Sequence, residues 1–328
     1  MYYQALRTHD VVICASCCQN QLRMTAHVYL HDLIASIAVR FDAAGLAFGH
    51  GTMTAQDEAC WLAAHVLDLD VNAALPDLAL DEPALTEVER MVEARIEQRQ
   101  PLAYLLGEAW FCGLAFRVNQ HTLVPRSPLA ELIREQLQPW LAADDCHSLL
   151  DIGTGSGCIA IACAVHMPWL QVTGTDIDVQ ALAVAADNAR RHQVNQRCRW
   201  TQADIYAGLT QHYDIIISNP PYVPASEQSS LPSEYQSEPA AALYSGSDGL
   251  DHVARILVHA SERLTATGSL LLELGETAHV LQQQLSMMPW LWPELEHGGE
   301  GVLIADADML RRHEHDIKHW YQQRQQGS

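Results

Sequence analysis

Asp151-Ile152-Gly153-Thr154-Gly155-Ser156-Gly157 joins a short apolar run to an apolar segment with helical character. Glycines let the backbone turn sharply and let a ligand approach without interference from a Cβ atom. From Ser148 onward, patterns typical of strands alternate with patterns typical of helices, which predicts an α/β domain with a doubly wound parallel sheet. We predict strands near 148–152, 172–176, 198–202, 214–218, 269–274 and 301–305, and helices near 158–166, 179–192, 249–264 and 277–287.

The fourth of these strands ends in Ser218-Asn219-Pro220-Pro221-Tyr222. Neither proline has an N–H to donate, so the chain must leave the sheet at Asn219. In open α/β sheets, ligands bind at the carboxyl ends of the strands. An amide, two rigid rings and a phenol at this edge suit a planar group that forms hydrogen bonds. These residues alone do not distinguish an adenine from an amide as that group.

An acidic residue, Asp176, ends the strand that follows the Gly-rich loop. Its carboxylate could accept hydrogen bonds from two ribose hydroxyls, or it could cap the next helix together with Asp178. The spacing Gly-x-Gly-x-Gly differs from the Gly-x-Gly-x-x-Gly of nicotinamide and flavin enzymes. It resembles the loop of S-adenosylmethionine-dependent methyltransferases, whose cofactor has no pyrophosphate. Asp204, after the third strand, would then contact the adenine side of the cofactor.

The composition indicates a cytoplasmic protein with a full-sized core. Of its 328 residues, 48% are hydrophobic, and no apolar run is long enough to span a membrane. The N-terminus lacks the pattern of a secretory signal. Nine cysteines at irregular spacing do not resemble a disulfide framework, and Cys14, Cys17 and Cys18 lack the further ligands that a metal site needs. We therefore expect reduced cysteines and no metal.

The net charge is −21, from 40 acidic and 19 basic residues, and Lys318 is the only lysine. Such a surface repels phosphate backbones, so we expect no direct DNA binding. The same charge would attract a basic partner, or it could serve solubility alone.

The sequence divides into five parts. Residues 1–23 have no periodicity and are predicted to be a disordered tail or an over-long start. Residues 24–107 are predicted to form a helical substrate-recognition domain, 108–128 a hairpin and linker, 129–310 the methyltransferase domain, and 311–328 a polar tail with a loosely attached helix. The Ser-, Pro- and Glu-rich segment 224–247 has no core pattern, and long irregular segments of this kind tend to be functional.

In the helical domain, an apolar stripe from Val28 to Phe41 predicts a first helix that ends near Gly45. Thr54 and Thr86 are placed to cap the next two helices.

The hairpin and linker contain two further candidates for the site. Phe111 precedes Gly113, which we expect at the hairpin turn, although aromatic residues there are more commonly core residues. Arg126 lies between two prolines of the linker and could be a surface charge or face a ligand. A helix is predicted over 129–137.

From about Met24 to about Met309 the sequence resembles the protein-glutamine N5-methyltransferase family. Members of this family methylate the Gly-Gly-Gln motif of release factors or a glutamine of a ribosomal protein. The motifs that carry the resemblance are spread along the chain: Pro101-Leu-Ala-Tyr104, Trp110-Phe-Cys-Gly113, Leu123-Val-Pro-Arg126, the Gly-rich loop, Asn219-Pro-Pro-Tyr222, Glu238-Pro239 with Ala242-Leu243, and Ser245-Gly-Ser-Asp248-Gly-Leu-Asp251.

Two branches of the family differ in the linker. Release-factor enzymes resemble Pro-Arg-Pro-Asp-Thr-Glu there, whereas this chain has Pro125-Arg-Ser-Pro-Leu-Ala-Glu-Leu132. This form is similar to the branch that acts on the third protein of the large ribosomal subunit, uL3. Gly49-His-Gly51, Leu231-Pro-Ser-Glu-Tyr235 and Gly298-Gly-Glu-Gly-Val302 also resemble that branch. Contacts of the release-factor enzymes therefore do not carry over to Leu129 and Ala130.

The resemblance implies S-adenosyl-L-methionine as cofactor, a glutamine side chain as substrate, and a basic ribosomal protein as partner of a monomeric enzyme. Asn219, Pro220 and Tyr222 would be catalytic, and together with Pro221 they would bind the glutamine. Ile205 stands where release-factor enzymes often have an aromatic residue beside adenine. The residues implied for cofactor binding are Asp151, Gly153, Thr154, Gly155, Ser156, Gly157, Asp176, Asp204, Ile205 and Asn219.

The chemistry of such a reaction fits the strand end. An amide nitrogen is a poor nucleophile because its lone pair is delocalised into the carbonyl. The side-chain oxygen of Asn219 and a proline carbonyl could accept hydrogen bonds from the NH2 group, which would orient it and favour the charge that develops on nitrogen. Tyr222 could form a wall that excludes water. No strong base is needed, because the proton becomes acidic as the methyl group arrives.

Three alternatives are open at this point. The chain could be a release-factor glutamine methyltransferase, although its linker argues against this. It could be an adenine-N6 nucleic-acid methyltransferase, but base flipping needs a basic face, and the local basic cluster is only Arg190, Arg191, Arg197 and Arg199. It could be a non-catalytic cofactor-binding module, which the intact Asn219-Pro-Pro-Tyr222 disfavours.

Overall fold

The computed structural model describes residues 28–70, 73, 76, 78–142, 145–296 and 301–327. The predictions for residues 1–23, with Cys14, Cys17 and Cys18, and for the Gly298-Gly-Glu segment lie outside these residues. In the part that is described, no helix is long and apolar enough to cross a membrane. Those same ranges contain no group of three or more His, Cys, Asp or Glu side chains that could hold a metal ion.

The N-terminal unit is helical. It contains α1 (Leu30–Ala43), α2 (Ala55–Val66), α3 (Glu82–Gln98) and α4 (Leu102–Leu106). The apolar side chains of α1 recur at helical spacing and are buried on the side that packs against α2. Thr54 caps α2 as predicted, because its hydroxyl accepts a hydrogen bond from the backbone N–H of Asp57 at 3.1 Å.

Two predictions for this unit are wrong. Val28 precedes the helix and lies in an extended segment, where its carbonyl accepts from the backbone N–H of Leu80 at 3.0 Å. Thr86 lies inside α3 and donates to the carbonyl of Glu82. The cap is Asp81, whose side chain accepts from the N–H of Ala84 at 3.0 Å. Proline suits the first turn of a helix because an N–H would have no partner there, so Pro83 favours the earlier start.

A hairpin follows, formed by β1 (Glu108–Phe111) and β2 (Leu114–Arg117). Cys112 and Gly113 make its turn with φ angles of 52° and 76°, a conformation that matches the twist of hairpin strands. Gly113 therefore lies at the turn, as predicted. Helix α5 (Leu129–Arg134) ends before the predicted residue 137, because Gln136 and Leu137 adopt left-handed backbone angles.

The rest of the chain is built on one mixed sheet. The strands described are β3 (Ser148–Ile152), β4 (Gln171–Asp176), β5 (Cys198–Gln202), β6 (Tyr213–Ser218), β7 (Leu264–Glu273) and β8 (Val302–Asp306), in the spatial order β5-β4-β3-β6-β7-β8. The helices between and after them are α6 (Cys158–His166), α7 (Val179–Arg191), α8 (Asp251–Arg263), α9 (Ala278–Gln284), α10 (Ala307–Arg312) and α11 (Glu314–Gly327).

Both faces of the sheet are covered, which confirms the doubly wound fold. Successive strand residues point to opposite faces, so Leu150 and Ile216 pack with α8 to α11, whereas Leu149 and Ile215 pack with α5 to α7. The predicted strand bounds agree closely, except that β7 begins at Leu264, which pairs with Tyr213 across a register shift.

The last strand departs from the predicted parallel sheet. β8 runs antiparallel to β7. Leu291 forms an antiparallel bridge to Ile304 on β8, so the chain reverses direction between these residues instead of crossing over the sheet. An antiparallel edge strand on an otherwise parallel sheet is common in this fold class.

The C-terminal helix is firmly packed, so the prediction of a loose attachment is wrong. Ile317 and Trp320 of α11 are buried in the core. The guanidinium of Arg324 donates to both carboxylate oxygens of Asp248, at 2.6 and 2.8 Å. The segment is polar overall, so its composition did not predict the burial of these two apolar residues, which are one helical turn apart.

Candidate active site

Three strand ends meet at one edge of the sheet. Ile152 of β3 pairs with Ser218 of β6, and Ser218 pairs with Leu272 of β7. The residues that follow these positions are therefore neighbours: the Gly-rich loop after β3, Asn219 after β6, and Glu273 at the end of β7. The structure brings together two motifs that the sequence singled out and a carboxylate that it did not.

The Gly-rich loop connects β3 to α6 at a point where neighbouring side chains pack closely against it. Gly157 has φ of 78°, and a Cβ atom there would lie 3.0 Å from side-chain atoms of Ala185 and Ile161. A side chain at this position would be strained as well as crowded. The glycine thus allows α6 to start close to α7.

Asp151 lies beneath this loop and is fully buried. One of its oxygens accepts from the hydroxyl of Thr154 at 2.6 Å and from the backbone N–H of Ala160 at 3.2 Å. Burial raises the pKa of Asp151 to about 7 in spite of these hydrogen bonds. Its other oxygen and the buried hydroxyl of Ser156 have no hydrogen-bond partner among the residues described. Buried polar atoms are normally paired, so both are available to a bound polar group.

Asp176 lies beside the loop at the end of β4. Its oxygens accept from the backbone N–H of Gly155 at 2.9 Å and of Asp178 at 3.0 Å, and burial raises its pKa. Asp178 alone caps α7, since its side chain accepts from the N–H of Gln180. Capping the helix therefore does not account for Asp176.

Asp204 and Ile205 follow β5 at the same edge of the sheet. Asp204 is exposed and accepts from the guanidinium of Arg255 on α8 at 2.6 Å. Ile205 has a left-handed backbone, with φ of 56°, and its side chain packs in the core cluster beneath α8.

Glu273 organises the strand end that contains Asn219 to Tyr222. The hydroxyl of Tyr222 donates to one oxygen of Glu273 at 3.0 Å, and the hydroxyl of Ser127 donates to the other. Glu273 is buried, and burial raises its pKa to about 7. A Cβ on Gly275 would lie 2.7 Å from the ring of Tyr222, so the ring rests directly on this glycine.

A cavity of about 520 Å³ opens beside this strand end. Asn219, Pro220 and Tyr222 line it together with Arg126. The irregular segment 224–247 supplies many of the other lining residues. The remaining lining residues include Leu123, Val223, Pro224, Ser226, Glu227, Leu231, Tyr235, Ala242, Leu243, Ser247, Asp248, Gly275, Glu276, Thr277, His279 and Val280.

Arg126 of the linker and Phe111 of the hairpin, the two further candidates, lie in different surroundings. Arg126 lines the cavity, but its guanidinium forms two hydrogen bonds of 2.6 Å with Glu238 and lies over the ring of Tyr235. Its charge is therefore neutralised within the protein. Phe111 is buried in the hydrophobic cluster that contains Phe116 and Leu129, so it is a core residue.

Buried ion pairs hold the segment 224–247 against the N-terminal unit and the linker. Glu238 accepts from the backbone N–H of Val124 and from Arg126, and it lies 3.5 Å from the imidazole of His50. Glu234 accepts from Arg95 of α3 at 3.3 Å, and the same arginine donates to Glu58 of α2 at 2.6 Å.

Sequence reasoning missed Glu273 and Arg95, and it included Glu238 and Glu234 only as members of family motifs, without a role. A further signal existed for Glu273, which ends the apolar run Leu270-Leu-Leu and so occupies the kind of position that singled out Asp176.

We expect Glu238 to make the protein less stable as the pH falls in the acid range. Burial opposes its ionisation, but hydrogen bonds from His50 and Arg126 lower its pKa from 4.5 to about 2. Its ionised form therefore contributes stability above about pH 4.5 that is lost as the pH falls toward 2. We expect the difference in unfolding free energy between wild type and Glu238→Gln to narrow by roughly 3 kcal/mol over this range. Urea unfolding of both proteins at several pH values measures this, and a constant difference would contradict it.

Family models match two parts of the chain. "Methyltransferase small domain" matches residues 134–246, and "PrmC N-terminal domain" matches residues 44–107. The second model covers most of the helical unit that contacts segment 224–247.

Relatives match over most of their length. The chain is 40% identical over 284 residues to the ribosomal protein uL3 glutamine methyltransferase of Neisseria meningitidis serogroup B. The matched region covers 86% of this chain and 94% of that protein. It is 41% identical over 286 residues to the protein of the same name from Xanthomonas campestris pv. campestris, covering 86% and 92%. Among solved structures, the hMettl16 catalytic domain in complex with MAT2A 3'UTR hairpin 6 matches with a TM-score of 0.47 at 17% identity, covering 72% of this chain and 84% of that one.

Proposed function

The chain belongs to the family of ribosomal protein uL3 glutamine methyltransferases, and from this premise we propose that it methylates a glutamine of uL3. The methyl group would pass from S-adenosyl-L-methionine to the side-chain amide nitrogen, N5, and give N5-methylglutamine and S-adenosylhomocysteine. The observation that carries the proposal is the position of Asn219-Pro-Pro-Tyr222. These residues follow β6 next to the Gly-rich loop, and Asn219, Pro220 and Tyr222 line a cavity of about 520 Å³.

The residues after β3, β4 and β5 fit S-adenosyl-L-methionine. The unpaired oxygen of Asp151 and the hydroxyl of Ser156 could bond polar groups of its amino-acid part, and Gly153, which is exposed, has no Cβ in its way. Asp176 could accept from the ribose hydroxyls, with Asp204 and Ile205 toward the adenine. When bound, the cofactor supplies an electrophilic methyl group on a sulfonium.

Asn219 and Pro220 would orient the substrate. The amide NH2 of glutamine is a donor, and the side-chain oxygen of Asn219 and the carbonyl of Pro220 are acceptors within the cavity wall. Two such hydrogen bonds would hold the nitrogen for in-line attack and favour the positive charge that develops on it. Tyr222, pressed against Gly275, would exclude water from the planar amide. The proton leaves as the new bond forms.

The charge of the chain supports a basic ribosomal protein as substrate. A protein of net charge −21 attracts a basic chain over long distances, and this attraction weakens with salt. The helical unit would recognise the substrate, because Glu234 and Glu238 join it and the linker to the cavity wall. We place a monomeric enzyme in the cytoplasm, where ribosomal proteins are made.

Transfer of labelled methyl groups tests this function. Purified protein is incubated with labelled S-adenosyl-L-methionine and, in parallel, with uL3, a release factor and duplex DNA, and the label is located by mass spectrometry. Label on a glutamine of uL3 is expected. Label only on the Gly-Gly-Gln motif would indicate a release-factor enzyme, and label only on adenine would indicate a nucleic-acid methyltransferase.

The role of Asp176 in cofactor binding gives a prediction with a matched control. Asp176→Asn should weaken binding of S-adenosylhomocysteine by at least about 10-fold, since hydrogen bonds to a charged acceptor are among the stronger ones. Asp178→Asn, two residues away on the cap of α7, should change the affinity by less than about 2-fold. Isothermal titration calorimetry measures both constants. Equal losses in the two variants would argue for a general disturbance of the loop instead.

A further inference from the structure

Asn188 of α7 is fully buried and uses its side-chain amide in three hydrogen bonds. Its oxygen accepts from the backbone N–H of Arg117 on β2 at 2.8 Å, and its NH2 group donates to the carbonyl of the same residue at 3.0 Å. The NH2 group also donates to the carbonyl of Ser156 in the Gly-rich loop at 2.9 Å. One side chain therefore joins the hairpin, α7 and the loop that is proposed to bind the cofactor.

The partners of Asn188 allow only one orientation of its amide. Two of them are carbonyls, which only accept, and the third is an N–H, which only donates. With the amide reversed, its oxygen would face two carbonyls and its NH2 group would face an N–H. The hydrogen bond to Ser156 is therefore fixed by the fold, and its loss would take the donor away from a carbonyl of the loop.

This hydrogen bond helps to hold one peptide group of the Gly-rich loop. The peptide between Ser156 and Gly157 is planar, so its carbonyl and its N–H point in opposite directions. Asn188 binds the carbonyl, and the N–H of Gly157 donates to the carbonyl of Thr154 at 2.8 Å. Because the peptide is held on both sides, the position from which the Ser156 side chain extends is set, as is the point at which α6 begins.

We propose that Asn188 is a positioning residue for the cofactor loop. The inference rests on the proposed binding of S-adenosyl-L-methionine at that loop, where the buried hydroxyl of Ser156 has no hydrogen-bond partner among the residues described. Both hydrogens of the Asn188 NH2 group are already used within the chain, so the residue acts through the loop and not on the cofactor itself. A loop that is held in its binding conformation loses less entropy when the ligand binds.

His192 supplies a matched control, because it lies one turn further along the chain at the end of α7. Its Nε2 atom donates to the carbonyl of Ala115 on β2 at 2.8 Å, and its ring lies 5.0 Å from the ring of Phe116. It therefore joins α7 to the same hairpin strand, but in the described part of the chain its side chain forms no hydrogen bond with the Gly-rich loop. His192→Phe keeps a ring at this position and removes the hydrogen bond.

Asn188→Asp keeps the size of the side chain and an acceptor oxygen, but it removes both donated hydrogen bonds. We expect the Kd for S-adenosylhomocysteine, measured by isothermal titration calorimetry, to rise about 10-fold. In His192→Phe it should stay within about 2-fold of wild type. Since Asn219 and the cavity are unchanged, kcat for methylation of uL3 at saturating cofactor should stay within about 3-fold of wild type in Asn188→Asp, while KM for S-adenosyl-L-methionine rises.

Asn188→Ser gives the same comparison if the aspartate variant does not fold, because serine is smaller and leaves space for water to pair the freed backbone groups. It should raise the Kd for S-adenosylhomocysteine about 5-fold. An unchanged Kd in a folded Asn188 variant would overturn the proposal, and so would an equal rise in His192→Phe, which would trace the effect to the hairpin contact alone. Wild-type protein that binds no S-adenosylhomocysteine would instead contradict the proposed function.

Discussion

Replacing Asn219 with alanine is expected to lower kcat for methyl transfer to uL3 by about 1,000-fold, the upper range for loss of one preorganised polar group. The replacement removes the side-chain oxygen that we propose orients the target nitrogen. Most of the affinity for S-adenosylhomocysteine should remain, because Asp151, Asp176 and the Gly-rich loop are unchanged. Single-turnover kinetics and calorimetry measure the two quantities separately.

Asn219→Asp is the matched control for this experiment. It preserves the shape and an acceptor oxygen, but it places a second carboxylate at the strand end beside β7, which already ends in the buried Glu273. We therefore expect it to lose nearly as much activity as the alanine variant. If Asn219→Ala lost cofactor affinity to the same extent as activity, the orienting role would be refuted and Asn219 would be mainly a cofactor ligand.

Replacing Arg95 with methionine should lower the free energy of unfolding by about 3–5 kcal/mol at neutral pH. Arg95 is fully buried and donates to Glu58, Glu234 and the carbonyl of Ala47. Without it, the buried carboxylate of Glu58 loses its cation, and Glu234 keeps only its pair with Arg99. Protonation would relieve this cost, so the deficit should shrink as the pH is lowered toward 5. Urea unfolding at pH 7 and pH 5 measures both effects.

Arg90→Met supplies the control for this second experiment. Arg90 lies on the same helix, α3, and pairs with Glu87 on the surface. Exposed pairs contribute little, so its replacement should change the free energy of unfolding far less than the replacement of Arg95 does. Similar losses in the two variants would mean that the buried pairs contribute no more than surface ones.

Local sequence was sufficient for the elements of the sheet and for part of the site. Apolar runs bounded by glycine and proline set the strands, and the rule that ligands bind at their carboxyl ends pointed to the Gly-rich loop, Asp176 and Asn219. These features depend on neighbours in the chain. The prediction that Thr86 caps α3 was also wrong for a local reason. Pro83 marks the first turn of the helix, and this favours Asp81 as the cap.

Contacts between distant parts of the chain were not predictable in this way. Arg95 and Glu234 are 139 positions apart, and Arg126 and Glu238 are 112 apart. An arginine in a helical pattern and a glutamate in an irregular segment each look like surface residues, and only the fold buries them together. The direction of β8 and the packing of Trp320 depend on long-range contacts for the same reason.

The ion pairs of segment 224–247 limit how the N-terminal and C-terminal halves of the chain can be exchanged between related proteins. Segment 224–247, which supplies part of the cavity wall, lies in the C-terminal half of the sequence. Its Glu234 pairs with Arg95 of the helical unit, and its Glu238 pairs with Arg126 of the linker. A chimera joined after Arg126 would therefore separate Glu234 and Glu238 from the arginines they evolved with. If substrate specificity is to be exchanged, as the proposed role of the helical unit implies, the exchanged part should include the helical unit, the linker and residues 231–238 together.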